Sequence, residues 1–155
     1  LNCPGQIVIS GTKDGVDKAC ELAKENGARR AIPLEVSGPF HSRLMEPASN
    51  RLHKLLATVD VRNAEIPVIS NVTAKPVQDA EEIKRLLVQQ LYLPVLWEDS
   101  IRYLLENGVD TFIEIGPGKV LTGLVRKVDR SVHTFAISDE ESINHTVREL
   151  KGGKS

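Results

Sequence analysis

The hydrophobic positions of this chain read as strands and helices in alternation, with glycine, proline or asparagine at the changes of spacing. Gln6 to Ser10 reads as a strand rich in β-branched residues, stopped by Gly11. Val16, Ala19, Cys20 and Ala23 then fall at helical spacing, and Asn26-Gly27 closes that helix by a left-handed exit. Arg30 to Val36 returns as a strand that Gly38-Pro39 must end. Met45, Ala48, Leu52, Leu55 and Leu56 form an apolar helical stripe with Pro47 in its first turn. Ile66 to Ile69 is a short strand ending at Ser70-Asn71. Asp79 with Glu82 resembles a capping box ahead of Ile83, Leu86, Leu87 and Leu91, a run that Pro94 breaks. Trp97, Ile101, Leu104 and Leu105 define another amphipathic helix, closed by Asn107-Gly108. Thr111 to Ile115 is apolar enough for a buried strand, and Gly116-Pro117-Gly118 turns it into a helix carrying Val120, Leu121, Leu124 and Val125. Val132 to Ile137 is a further strand. Ser138 with Glu141 caps a last helix containing Ile143, Val147 and Leu150, and residues 151–155 are expected to be a disordered tail.

Strands separated by helices imply crossover connections, hence an α/β fold with a mainly parallel sheet. A length of 155 residues favours one domain, burying roughly 70% of its unfolded surface. Hydrophobic content of 41% and charged content of 26% are those of an ordinary globular protein. A formal net charge of -1 supplies no field to attract nucleic acid or an anionic membrane, and no apolar run approaches the roughly 20 residues of a membrane helix. Cys3 and Cys20 lack Cys-x-x-Cys spacing and read as reduced structural residues in a cytosolic setting. His41, His53, His133 and His145 are scattered, without metal-ligand spacing.

The candidate chemistry lies in Val36-Ser37-Gly38-Pro39-Phe40-His41-Ser42. It places a histidine at a strand-to-helix junction, held by rigid elements yet open to solvent or a cleft. Such a residue suits a general base; the plainer reading is a loop histidine bonded to nearby backbone. Four further stretches accompany it in order: Asn2-Cys3-Pro4-Gly5-Gln6-Ile7-Val8-Ile9-Ser10-Gly11, then Pro67-Val68-Ile69-Ser70-Asn71-Val72, Gln90-Leu91-Tyr92-Leu93-Pro94-Val95, and Glu114-Ile115-Gly116-Pro117-Gly118-Lys119-Val120-Leu121. Together they resemble the C-terminal half of bacterial malonyl-CoA:acyl carrier protein transacylases, closest to those of Gram-positive bacilli. That family attacks its thioester with a serine in a Gly-x-Ser-x-Gly elbow, and this sequence contains none. Ile115-Gly116-Pro117-Gly118 imitates the elbow with proline at its centre. The chain opens on Leu1, inside a family motif, and reads as part of a longer enzyme whose N-terminal half holds the nucleophile.

The resemblance implies a finer architecture: an α/β-hydrolase-like large subdomain with an inserted ferredoxin-like small one. Residues 1–43 would be the second half of the small subdomain with the catalytic histidine loop, and residues 44–150 the returning segment of the large one. It also implies roles. His41 would be the base that activates the serine and later the carrier thiol, and the backbone carbonyl of Gln90 would orient it in place of the usual carboxylate. Asn71 would lie near the nucleophile, or be a plain turn former. Phe40 would crowd out an α-methyl branch, or be a core aromatic. Asn2 and Gln6 would border the coenzyme A channel. Gly116-Pro117-Gly118-Lys119 looks like an anion site at a helix start but lacks nucleotide-loop spacing, so a structural turn is the stronger reading. The implied reaction moves malonyl from malonyl-CoA through a serine ester to the phosphopantetheine thiol of acyl carrier protein. It needs no metal or redox cofactor, and its setting would be cytoplasmic. Its partners would be malonyl-CoA, acyl carrier protein and the complementary N-terminal half, with neither nucleic acid nor membrane. The chain alone would then be inactive. The alternatives are an acyltransferase domain of a polyketide synthase and a non-catalytic α/β binding module.

Overall fold

The computed structural model describes residues 2–152, which fall into two units. One runs from Val8 to Leu96; the other takes the residues up to Ile7 together with those from Trp97 onward.

The Val8–Leu96 unit opens with helix α1, Lys13–Glu25. Thr12 caps it by accepting the Gly15 N–H on its hydroxyl at 3.2 Å. Asn26 and then Gly27, at φ 87°, close it as the spacing predicts. The strands expected on either side of α1 do not form. Residues 7–10 and 30–36 carry no ladder, and Gln6 makes only an isolated bridge to Cys3. A strand exists by pairing with a neighbour, and none lies beside these segments among the described residues. Their side chains are correspondingly open, with Ile7 70%, Ile32 66% and Val36 67% exposed. A 3-10 turn, Arg43–Met45, leads into α2, Glu46–Leu56, with Pro47 in its first turn. The short strand expected at 66–69 contracts to β1, Val68–Ile69, which pairs antiparallel with β2, Pro76–Val77. The sequence reading missed β2, because a proline in a two-residue strand hides it. Helix α3, Ala80–Gln90, is capped by Asp79, whose Oδ1 accepts the Glu82 N–H at 2.9 Å. The reciprocal half of the expected capping box is absent: Glu82 pairs with Arg85 at 3.0 Å instead. Helices α2 and α3 pack against each other.

The second unit shows the expected strand–helix–strand order. Helix α4, Trp97–Glu106, exits through Asn107 and Gly108, at φ 83°. Strand β3, Thr111–Ile115, helix α5, Val120–Val128, and strand β4, His133–Ile137, form a parallel βαβ unit, with helix α6, Glu140–Gly152, packed on β4. The register pairs Thr111 with His133 and Ile115 with Ile137. Asp139, and not Ser138, starts α6: its Oδ1 accepts the Ser142 N–H at 2.8 Å, while Ser142 Oγ accepts the N–H groups of Ser138 and Asp139. That is a capping box shifted by one residue from the expected pair. The helix also reaches further than expected, since Lys151 and Gly152 are helical; residues 153–155 of the expected tail lie outside the described residues. The architecture is mixed α/β, and the expected parallel pairing is confined to β3–β4.

Candidate active site

His41 sits in a loop ahead of the 3-10 turn and not at the expected strand-to-helix junction, since residues 30–36 form no strand, and its backbone is left-handed at φ 59°. A non-glycine residue there is strained and persists only where its surroundings hold it. Two bonds to the end of α3 do so. The His41 N–H donates to the Leu91 carbonyl at 3.0 Å, and ring Nδ1 lies 2.8 Å from the Gln90 carbonyl oxygen. The loop is tied locally as well, by Ser42 Oγ donating to the Pro39 carbonyl at 2.7 Å. The last carbonyls of a helix have no intrahelical donor, and His41 takes two of them. A carbonyl oxygen only accepts, so Nδ1 carries the proton in this contact and the Nε2 lone pair is left over. The side chain is exposed, so Nε2 is open to a reactant.

The side chain of Gln90 is engaged too. Its Oε1 accepts Asn71 Nδ2 at 3.4 Å, a long bond, while the Asn71 carbonyl accepts the Leu96 N–H at 2.8 Å. Asn71 thus serves as a turn residue at the end of β1 and also touches the residue that faces His41. Its hairpin closes with Ala74 at φ 54° and with Ser70, buried, bonding Lys75 and Ala74 through its main chain. An apolar cleft of about 250 Å³ opens beneath the imidazole between α2 and α3, lined by His41, Leu52, Leu56, Leu87, Gln90 and Leu91.

The other candidates divide. Phe40 is 44% exposed, so it is not a core aromatic among the described residues; its ring lies over Gly38. Asn2 and Gln6 belong to the other unit, where they flank a turn with Pro4 and with Gly5 at φ 78°. The Gln6 N–H donates to the Cys3 carbonyl at 2.9 Å and the Asn2 N–H to the Gln6 carbonyl at 3.1 Å. At Gly116-Pro117-Gly118-Lys119 the geometry decides between the two readings. Glu114, two residues before Gly116, accepts the Leu121 N–H at 3.1 Å and the Thr122 N–H at 2.8 Å. The first turn of α5 already holds an anion from its own chain, which leaves the glycines a structural turn. Donation by the Thr122 N–H in particular holds the Glu114 carboxyl below the usual carboxylate range. His53, His133 and His145 are exposed. Among the described residues no group of three or more His, Cys, Asp or Glu is placed to hold a metal ion.

Comparison with known proteins gives this geometry its context. The family model described as "Acyl transferase domain" matches residues 1–152. The chain belongs to the acyl transferase domain family. It is 60% identical over 151 residues to the malonyl CoA-acyl carrier protein transacylase of Bacillus subtilis, covering 97% of this chain and 48% of that protein. The malonyl CoA-acyl carrier protein transacylase of Clostridium perfringens superposes with a TM-score of 0.94 at 40% identity, covering 99% of this chain and 48% of that one. A malonyl-transacylase in complex with a type II PKS acyl-carrier protein superposes at 0.86 with 39% identity, over 90% of this chain and 45% of that one. The chain spans about half the length of the relatives it matches. As an acyl transferase segment it contains a histidine whose second ring nitrogen has no partner among the described residues, and no Gly-x-Ser-x-Gly. Among the described residues no helix is long and apolar enough to cross a membrane.

Two features of the site were missed in the sequence. The left-handed backbone of His41 has no signature of its own in Phe40-His41-Ser42, because a tertiary contact imposes it. The Glu114 cap did have one: a carboxylate just before a glycine turn that opens a helix is a candidate for that helix's first turn.

Proposed function

We propose that this segment supplies the general base of an S-malonyltransferase, moving malonyl from malonyl-CoA to the phosphopantetheine thiol of acyl carrier protein through a serine ester. The observation that carries the reading is the contact of His41 Nδ1 with the Gln90 carbonyl, which fixes the ring and leaves Nε2 to take a proton. In the first half-reaction the serine Oγ–H gives its proton to Nε2 as the oxygen attacks the malonyl thioester carbonyl. The C–S bond then breaks, and the departing coenzyme A thiolate takes that proton from Nε2. In the second, the carrier thiol gives its proton to Nε2, its sulfur attacks the ester, and the C–O bond breaks as serine regains the proton. Gln90 orients the imidazole through its carbonyl, and Asn71 braces Gln90. Phe40, beside the base, disfavours an α-branched acyl group. Asn2 and Gln6 border the coenzyme A channel. The serine comes from the part of the protein corresponding to the half of the relatives that this chain does not span. Residues 1–43 and 44–150 belong to its small and large subdomains, and the enzyme works in the cytoplasm of a dissociated fatty acid synthesis system.

In the full-length enzyme, His41→Ala slows transfer of radiolabelled malonyl to carrier protein by ~10²- to 10⁴-fold with the fold intact, and the isolated chain shows no turnover. A loss of less than about threefold would reduce His41 to a loop residue, since a positioned base contributes far more than that.

A further inference from the structure

The end of α3 is shaped by one missing hydrogen. The end of α3 tightens, with the Leu91 N–H on the Val88 carbonyl at 3.4 Å and the Tyr92 N–H on the Gln89 carbonyl at 3.1 Å, but the Leu93 N–H still makes one helical rung to Gln89 at 2.9 Å. The next rung would join the N–H of residue 94 to the carbonyl of Gln90. Residue 94 is proline, which has no N–H and disfavours helical backbone at Leu93. The Gln90 carbonyl therefore has no main-chain donor available at that rung, and it is the one that faces His41 Nδ1 at 2.8 Å.

We propose that Pro94 is a positioning residue for His41: it withholds the main-chain donor that would claim the Gln90 carbonyl and so reserves that carbonyl for the imidazole. The inference deepens the reading of His41 as the base and rests on it for its functional meaning. Pro94 is exposed, so burial of its ring does not account for its presence. The following chain is held independently, by the Leu96 N–H on the Asn71 carbonyl, which keeps the exit from α3 on course. A carbonyl has two lone pairs, so a new donor would not exclude the imidazole by occupancy alone. It acts through direction: one more rung turns the Gln90 C=O along the helix axis, away from a ring that approaches from the side.

The test uses the isotopically labelled full-length enzyme with Pro94→Ala, and Pro94→Gly as a second variant that introduces the same N–H with less helical propensity. The expected result by NMR in alkaline buffer has two parts. The new amide at position 94 is protected from exchange by about tenfold or more relative to an unstructured amide. The His41 ring proton exchanges faster than in the parent enzyme, and the ring nitrogens report a shift from the Nδ1–H toward the Nε2–H tautomer. In the full-length enzyme kcat falls about 10- to 100-fold, with KM for malonyl-CoA little changed. An unprotected amide 94 in both variants, or an unaltered His41 ring, overturns the proposal. Retained activity of His41→Ala would instead overturn the acyl-transfer reading, so the two failures are distinct.

Discussion

At the scale of single residues, surface carboxylates are tuned by the backbone around them. Donation by the Thr122 N–H lowers the Glu114 carboxyl, the Ser131 side chain lowers Asp129, and the Ser142 N–H lowers Asp139. Each group has a folded pKa below its unfolded one. Its contribution to stability is complete above the ordinary carboxylate range and is lost as pH falls through that range toward the lowered value. The melting temperature is therefore expected to be flat from neutral pH down to about 5 and to fall below about 4. Glu114→Gln should flatten part of that acid slope, and added salt should shrink it, because these groups lie at the surface. An unchanged slope in Glu114→Gln, followed by circular dichroism, would show that the carboxylate does not stabilise α5. Of these three, only the neighbourhood of Asp139 was legible in the sequence, and there the cap was assigned one residue early. Ser138 and Asp139 are both good caps, and the choice between them depends on where β4 ends.

At the scale of elements, the parallel ladder fixes which main-chain groups are paired. The His133 N–H donates to the Asp110 carbonyl and the Gly116 N–H to that of Ile137. In a parallel pair a strand's residues alternate between neighbours, so Phe112 and Glu114 bond toward β4 while Thr111, Ile113 and Ile115 point to the edge of β3 that has no neighbour among the described residues. Hydrogen exchange of the chain should find the amides of Ile113 and Ile115 fast and those of Phe112 and Glu114 at least about tenfold slower. Equal rates would mean that β3 is paired on both sides. Helices were the readable elements: the six α-helices of the described residues stand where the apolar spacing put them, because a helix satisfies its backbone within itself. Strands were readable only where a partner follows closely in the chain, as β4 follows β3. Gln6–Ser10 and Arg30–Val36 were read as strands from their apolar residues but have no partner among the described residues.

At the scale of the molecule, much apolar surface is open, including Ile115 at 82%, Ile66 at 78% and Val120 at 71%. A free strand edge beside such residues recruits other chains. Light scattering of the purified chain at micromolar concentration is expected to show association, reduced by Ile115→Lys; a stable monomer in both would favour a self-sufficient binding module. What the sequence determined by itself was local: the helices, the glycine exits, the α/β alternation, and a histidine placed between a Gly-Pro break and a helix start. Each follows from spacing and from residue types whose preferences act over a few neighbours. Tertiary structure alone decided the rest, including the left-handed turn of His41 and the meeting of its ring with the Gln90 carbonyl. His41 and Gln90 are far apart in the chain, and no local preference specifies which orphan carbonyl a ring nitrogen will meet. That depends on how α3 lies against the loop, which is set by the packing of side chains distant in sequence.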